Sequence, residues 1–397
     1  MITSEKIRTA ADRLKKIQAL GLTNPFDVVV DDLLSPTEGI IRGRKTLLFG
    51  THNYLGLSMS KQNIEGAISA VRKYGTGTTG SRIANGTFCL HAELEEKIEA
   101  FMRRRNAIVF STGYQANLGS IAGLVGRGDQ LFIDADSHAS IYDGAKLSGA
   151  EVIRFRHNSP RDLAKRIERV SPTIGMRLIV IESVYSMTGN ITPLRDFVNV
   201  KKQTGLSLLV DEAHSFGLMG SNGRGLAEME GLEGDIDFIT GTFSKSVGTV
   251  GGFCVSNHSD IEFLRYCSRP YMFTASLPPD VIGATIAGLQ QISERPDLRE
   301  KLMENARSLR CGLSRAGFRV GISDSPIISV DCGDEATGIR MWEALLEHGL
   351  YVNLSLPPAT PNHNALLRCS VMAPHTDRQI ECAITVFRKV GAEVGII

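Results

Sequence analysis

The sequence predicts an α/β protein, built on a doubly wound, mostly parallel sheet with a smaller α+β domain after it. Two observations carry that expectation. From Asn106 onward, short apolar runs alternate with segments of helical spacing, which is the pattern of repeated strand–helix units. The runs are continuous instead of alternating with polar residues, as strands covered on both faces must be. Beyond Pro270 the rhythm changes: a long helical stretch leads into more widely spaced strand-like runs.

The bulk properties agree. At 397 residues the chain is long enough for two or three domains. Hydrophobic residues make up 42% and charged residues 22%, so a sizeable core is available. Lys+Arg 44 against Asp+Glu 43 leaves a formal charge of +1, which gives no global attraction for nucleic acid. Seven cysteines are scattered without a C-x-x-C pair. They read as reduced, mostly buried thiols of a cytoplasmic protein, with neither a disulfide frame nor a metal site. No apolar run approaches the ~18 residues that span a bilayer.

Taken in order, Ser4 to Leu20 place Ile7, Leu14, Ile17 and Leu20 on one helical face, with lysines and arginines elsewhere. Such a helix packs on its own protein or a partner, with at most peripheral contact to a membrane. Pro25 and Pro36 then punctuate an irregular stretch, and Lys45–Phe49 reads as a short strand. A helix over Asn63–Tyr74 precedes Gly75-Thr76-Gly77-Thr78-Thr79-Gly80. That string matches G-x-G-x-x-G, but a dinucleotide site needs a strand before it, so the dehydrogenase reading is rejected. Strands are expected at 107–110, 131–133, 152–155, 178–181, 207–210, 236–239 and 253–255. A helical stretch over 279–316, strands at 326–330 and 366–372, and helices near 335–348 and 376–390 complete the chain. The expected division is an arm over 1–60, a large domain over 61–275 and a small domain over 276–397.

Ligands of such sheets collect at the carboxyl ends of the strands. Here those ends carry Ser111-Thr112-Gly113-Tyr114, Asp136-Ser137-His138, Asp211-Glu212-Ala213-His214 and Thr242-Phe243-Ser244-Lys245. An amine, a carboxylate, imidazoles and a phosphate cradle are the parts a pyridoxal 5′-phosphate enzyme needs. Lys245 is placed to hold the aldehyde as a Schiff base, desolvation lowering its pKa, and Asp211 to pair with the pyridinium nitrogen. His138 offers a ring to stack on the cofactor, and His214 a contact to its phenolic oxygen. Ser111, Gly113 and Tyr114 open a helix whose N-terminus suits a phosphate, and Thr242 and Ser244 add hydroxyls. The string DEAH also occurs in helicases, but its partner phosphate loop is missing, since GTFSKS lacks the spacing.

These residues bring a family into view. The chain resembles the α-oxoamine synthases, fold-type I pyridoxal phosphate enzymes that join an amino acid to an acyl thioester with loss of carbon dioxide. The resemblance runs over nearly the whole chain: NYLGL at Asn53, GSRIANGT at Gly80, STGYQAN at Ser111, DSHASIYDG at Asp136, DEAHSFG at Asp211, GTFSKS at Gly241 and LLRCS at Leu366. NPFDVVVDDLLSPTE, RFRHNS and RPYMFTASLPP look most like bacterial members that use L-serine and a long-chain acyl thioester.

The resemblance implies a seven-stranded, mostly parallel sheet in the large domain and a homodimer with shared sites. It implies Lys245, His138 and Asp211 as catalytic residues. Gly113, Tyr114, His214, Thr242, Ser244 and Thr274 join them around the cofactor, Thr274 reaching the neighbouring subunit's phosphate. Asn53, Ser81, His138 and Arg368 match positions near the substrate carboxylate. The acyl group arrives on coenzyme A or on an acyl carrier protein. Rival readings within the family pair glycine with succinyl-CoA or acetyl-CoA, or alanine with pimeloyl-CoA; outside it stands a non-catalytic, ligand-binding relative of the fold. Two departures stand out: Leu356 where some relatives carry an arginine before the paired prolines, and Ser183 where a glycine is common.

Overall fold

In the computed structural model the described residues are 4, 5, 7–9, 11, 12, 15, 24, 25, 27–322, 324–357, 360 and 364–397. Leu14, Ile17 and Leu20 of the expected N-terminal apolar face lie outside them, as do Pro358, Ala359 and Pro361. The strands, in chain order, are β1 (Val30–Ser35), β2 (Glu38–Ile41), β3 (Arg44–Leu48), β4 (Asn106–Phe110), β5 (Gln130–Asp134), β6 (Glu151–Phe155) and β7 (Arg177–Glu182). They continue as β8 (Ser207–Asp211), β9 (Phe238–Thr242), β10 (Gly252–Ser256), β11 (Ile327–Gly333), β12 (Leu350–Tyr351), β13 (Asn353–Ser355) and β14 (Ala365–Ser370).

The chain divides into two compact units. The larger holds 52–186 and 190–301; the smaller holds 1–51, 187–189 and 302–397. This grouping differs from the division at 60/61 and 275/276. The helix Pro279–Glu294 belongs with the larger unit because it packs closely on the helix Lys61–Tyr74. Glycines meet at that crossing: a Cβ on Gly66 would lie 2.5 Å from the carbonyl oxygen of Gly283. The expected continuous helix over 279–316 is two helices, Pro279–Glu294 and Pro296–Arg315. Pro296 has no N–H to continue the first ladder but suits the start of the second.

The larger unit is built on a seven-stranded sheet of order β4-β10-β9-β8-β7-β5-β6. Only β10 runs against its neighbours, β4 and β9; the other pairings are parallel. Leu178, Ile179, Val180 and Ile181 of β7 are all completely buried, which explains their unbroken apolar run. One core cluster joins Ile108, Ile133, Val180 and Leu209 of four strands to Ile121 and Ile141 of two covering helices. Each such aliphatic side chain contributes about 1.5–3 kcal/mol by leaving water.

The smaller unit has a four-stranded sheet, β1-β2-β3-β12, and a three-stranded antiparallel sheet, β11-β14-β13. Its two long C-terminal helices are Glu335–Glu347 and Asp377–Val394. Trp342 of the first is buried, its indole N–H donating to the carbonyl of Val352 at 3.0 Å. The β1–β2 hairpin occupies the stretch read as irregular. Val30, Leu33 and Leu34 are largely exposed and do not alternate, so no strand pattern was visible there. The seven cysteines form no disulfide, and four of them (Cys89, Cys267, Cys311 and Cys382) are exposed, so the expectation of mostly buried thiols fails. No helix among the described residues is long and apolar enough to cross a membrane.

Candidate active site

Six parallel strands of the larger unit point their carboxyl ends the same way, and a cavity of about 290 Å³ opens there. Strand β8 ends in Asp211, β9 in Thr242 and β7 in Glu182, and each lines the cavity. Lys245 follows β9 by three residues, half-buried. Its Nζ lies 2.7 Å from Nε2 of His214, whose Nδ1 lies 2.9 Å from the hydroxyl of Tyr54. The amine, the carboxylate and the two imidazoles predicted for the rim therefore share one cavity.

Asp211 is buried and held from two sides. Its Oδ1 accepts the N–H of Ala213 at 2.9 Å and its Oδ2 the amide of Asn117 at 2.6 Å. Ser183 supports the same strand end: its N–H and Oγ donate to the Asp211 carbonyl at 2.9 and 3.1 Å. The hydroxyl at position 183, unexplained by sequence, thus braces the segment that carries Asp211.

His138 caps the helix Ala139–Ser148, its Nδ1 accepting the N–H of Ser140. Its outer face is exposed to the cavity, as a ring that stacks on a ligand must be. Burial lowers its pKa, the charge of Lys245 adds to that, and the charge of Asp211 opposes it. Its backbone N–H donates to Oε1 of Glu182 at 2.5 Å. Glu182 is buried, and its pKa is pushed well above the usual carboxylate range, by burial first and then by the nearby Asp211 charge.

A nest of small and hydroxyl residues also lines the cavity. Thr112 caps the helix Gly113–Leu124, accepting the N–H of Gln115 at 3.0 Å. The N–H groups of Gly113 and Tyr114 head that helix, outside its internal ladder. A Cβ on Gly113 would fall 2.6 Å from Cβ of Thr242, so only glycine fits. Thr242 Oγ1 donates to the Gly251 carbonyl at 2.9 Å and lies 2.8 Å from Ser244 Oγ. Tyr114 stands edge-on to His138, ring centres 6.2 Å apart.

The donor set fits pyridoxal 5′-phosphate. A helix N-terminus with hydroxyls suits the phosphate, Asp211 the ring nitrogen, Lys245 the aldehyde and the face of His138 the ring. Ser111, Thr274, Asn53 and Ser81 are not among the residues lining the cavity. Ser111 Oγ donates to the Ala275 carbonyl at 2.6 Å, and Thr274 Oγ1 accepts from Gln115 Nε2 at 3.1 Å. Asn53 donates to Ser58 Oγ at 2.7 Å, and Ser81 forms an isolated bridge with Ala275. Arg368 is buried on β14 of the smaller unit, where Leu356 is also buried. Sequence reasoning missed Asn117 and Glu182, both lining the cavity. Asn117 was present in the STGYQAN string; Glu182 carried no signal beyond ending an apolar run.

Comparison with known proteins places this constellation. The family described as aminotransferase class I and II matches residues 44–387. A serine palmitoyltransferase of Caulobacter vibrioides is 54% identical over 97% of this chain and 95% of its own length. An 8-amino-7-oxononanoate synthase of Trichlorobacter lovleyi is 38% identical over 98% of this chain and all of its own. Among solved structures, a serine palmitoyltransferase from S. paucimobilis with bound PLP and myriocin superposes with a TM-score of 0.97 at 49% identity, covering 99% of each chain. The chain therefore belongs to the aminotransferase class I and II family and, within it, to the pyridoxal phosphate-dependent α-oxoamine synthases.

Proposed function

We propose that this protein is a serine palmitoyltransferase, condensing L-serine with a long-chain acyl thioester to 3-oxosphinganine, the entry step of sphingolipid synthesis. The observation that carries the reading is the single cavity shared by Lys245, Asp211, His138 and His214, on a chain 54% identical to a protein of that name.

Pyridoxal 5′-phosphate, bound there, supplies an electron sink for negative charge at the amino-acid Cα. Lys245 would hold it covalently, and its Nζ would take the Cα proton. Asp211 keeps a proton on the ring nitrogen. Gly113, Tyr114, Thr242 and Ser244 would hold its phosphate, with Thr274 reaching it from the neighbouring subunit. His138 would stack on the ring and orient the serine carboxylate; the family resemblance assigns Asn53, Ser81 and Arg368 to that carboxylate as well. The serine Cα would then bond to the acyl carbonyl carbon as the C–S bond breaks and the thiolate leaves to take a proton from solvent; the carboxylate leaves as carbon dioxide, and the Lys245 amine returns its proton to Cα.

The working state is a cytoplasmic homodimer, and coenzyme A or an acyl carrier protein delivers the acyl chain. The test is mass spectrometry of products after offering serine, alanine and glycine with palmitoyl, pimeloyl, succinyl and acetyl thioesters. 3-Oxosphinganine from serine and palmitoyl-CoA is expected. Turnover confined to alanine with pimeloyl-CoA, or to glycine with a short thioester, overturns the reading. No product from any pair supports a non-catalytic relative.

A further inference from the structure

The cavity wall contains a buried polar chain whose inner members, Asn117, Ser140 and Thr240, no catalytic role above uses. Asn117, from the helix Gly113–Leu124, sits between three partners from three other elements. Its Nδ2 donates to Asp211 Oδ2 at 2.6 Å and to Ser140 Oγ at 2.9 Å, while its Oδ1 accepts from Thr240 Oγ1 at 2.7 Å. Asn117, Ser140, Thr240 and Asp211 are all at most 5% exposed. Ser140 Oγ in turn lies 2.7 Å from Nδ1 of His138.

Donor and acceptor chemistry gives this chain a direction. A carboxylate can only accept, so the Asn117 amide must turn its NH₂ towards Asp211 and its oxygen towards Thr240. The second amide hydrogen then goes to Ser140 Oγ, which leaves the Ser140 hydroxyl hydrogen for His138 Nδ1. The backbone N–H of Ser140, which can only donate, meets the same nitrogen at 3.2 Å. Two donors converge on Nδ1, so that nitrogen carries no proton.

We propose that Asn117 is a positioning residue for both Asp211 and His138, and that through Ser140 it locks His138 as the neutral tautomer with its proton on Nε2. Ser140, held by Asn117, occupies the Nδ1 edge of the ring, which leaves the Nε2–H edge as a hydrogen-bond donor for an anionic ligand group. The other charged and titratable groups around the imidazole are Asp211, Lys245, Tyr114 at the ring edge and Glu182 on the backbone N–H. Burial lowers the pKa of His138, against the Asp211 charge and with the Lys245 charge, consistent with a neutral ring. That the donor serves the serine carboxylate rests on the function proposed above; the tautomer does not.

The test uses full-length holo-protein labelled with [15N]histidine, the ring signals of His138 being assigned by their loss in H138N. At pH 7.5 the wild type should show a bare Nδ1 and a protonated Nε2. S140A and N117A should each move these signals towards a mixture of tautomers, and apparent Kd for L-serine should rise about tenfold. A protonated Nδ1 in the wild type overturns the proposal by itself, whether or not either variant folds. Unchanged tautomers in both S140A and N117A overturn it equally. A changed tautomer with unchanged serine affinity sustains the relay and removes the serine carboxylate from His138.

Discussion

Glu182 and Asp211 end neighbouring parallel strands in direct register, two carboxylates side by side at the floor of one cavity. Asp211 is supplied with two N–H donors, whereas among the described residues the one donor to the Glu182 carboxyl is the His138 backbone. Burial and the Asp211 charge therefore keep the proton on Glu182. A carboxyl whose folded pKa is raised binds its proton more tightly in the folded chain. Its stabilising contribution is full below the unfolded value near 4.5 and is lost as pH rises towards the folded value. E182Q keeps an acceptor for the His138 N–H and has no proton to lose. The variant should match the wild type near pH 5 and exceed it increasingly up to pH 8, by at most about 1.4 kcal/mol per pH unit. Thermal unfolding at both pH values measures this, and a wild type that gains on E182Q with rising pH contradicts a protonated Glu182.

Lys245 offers the sharpest chemical test. Its Nζ contacts His214 within the cavity and the side chain is only half-buried, so K245A removes chemistry with little packing. Turnover should fall at least about a thousandfold, and the visible absorbance band of the purified protein should vanish, with far-UV circular dichroism unchanged. A retained band in K245A removes the lysine from its assigned role.

Much of this was visible in the residues, and the omissions have physical causes. Continuous runs such as Leu178–Ile181 announced central strands because both faces of the sheet are covered. Asp211, Thr242 and Lys245 stood out because they follow such runs. The apolar run 236–239 marks only part of β9, since Thr240, Gly241 and Thr242 are small or polar; they stay in the strand through pairing with β10 on one side, while Thr240 also pairs with Asp211 on the other. Asn117 escaped notice because its partner Asp211 lies 94 residues away, a proximity that no local pattern encodes. Glu182 escaped for a related reason: its environment is made by β8 and the His138 turn, not by its own neighbours in sequence.

The crossing of the helices Lys61–Tyr74 and Pro279–Glu294 should be intolerant of the smallest side chain. A Cβ on Gly283 would lie 2.3 Å from the Gly66 carbonyl oxygen, and backbone cannot yield as a side-chain tip can. G283A should destabilise the protein by about 1–3 kcal/mol through forced separation of the helices, outweighing the better helix propensity of alanine. Chemical denaturation at pH 7.5 reads this directly, and a variant as stable as the wild type would mean the helices part without cost.

Acid sensitivity should come from two histidines far from catalysis in role. His91 accepts the Phe88 N–H at Nδ1 and donates from Nε2 to the Leu277 carbonyl. His375 accepts the Met372 N–H and donates to the Leu48 carbonyl, stacked on Phe49 with ring centres 3.9 Å apart. Burial lowers both pKa values to about 4. With the unfolded value near 6.5, the unfolded chain binds the extra proton first as pH falls. Each histidine thus contributes stability that is complete above pH 6.5 and declines as pH drops towards 4, by up to about 3 kcal/mol. H375N removes this titration but also leaves a cavity, so its stability at pH 7.5 should fall while its slope between pH 6.5 and 4 flattens. Urea midpoints measured across that range separate the two effects, and an undiminished slope in both H375N and H91N would place the acid sensitivity on other groups.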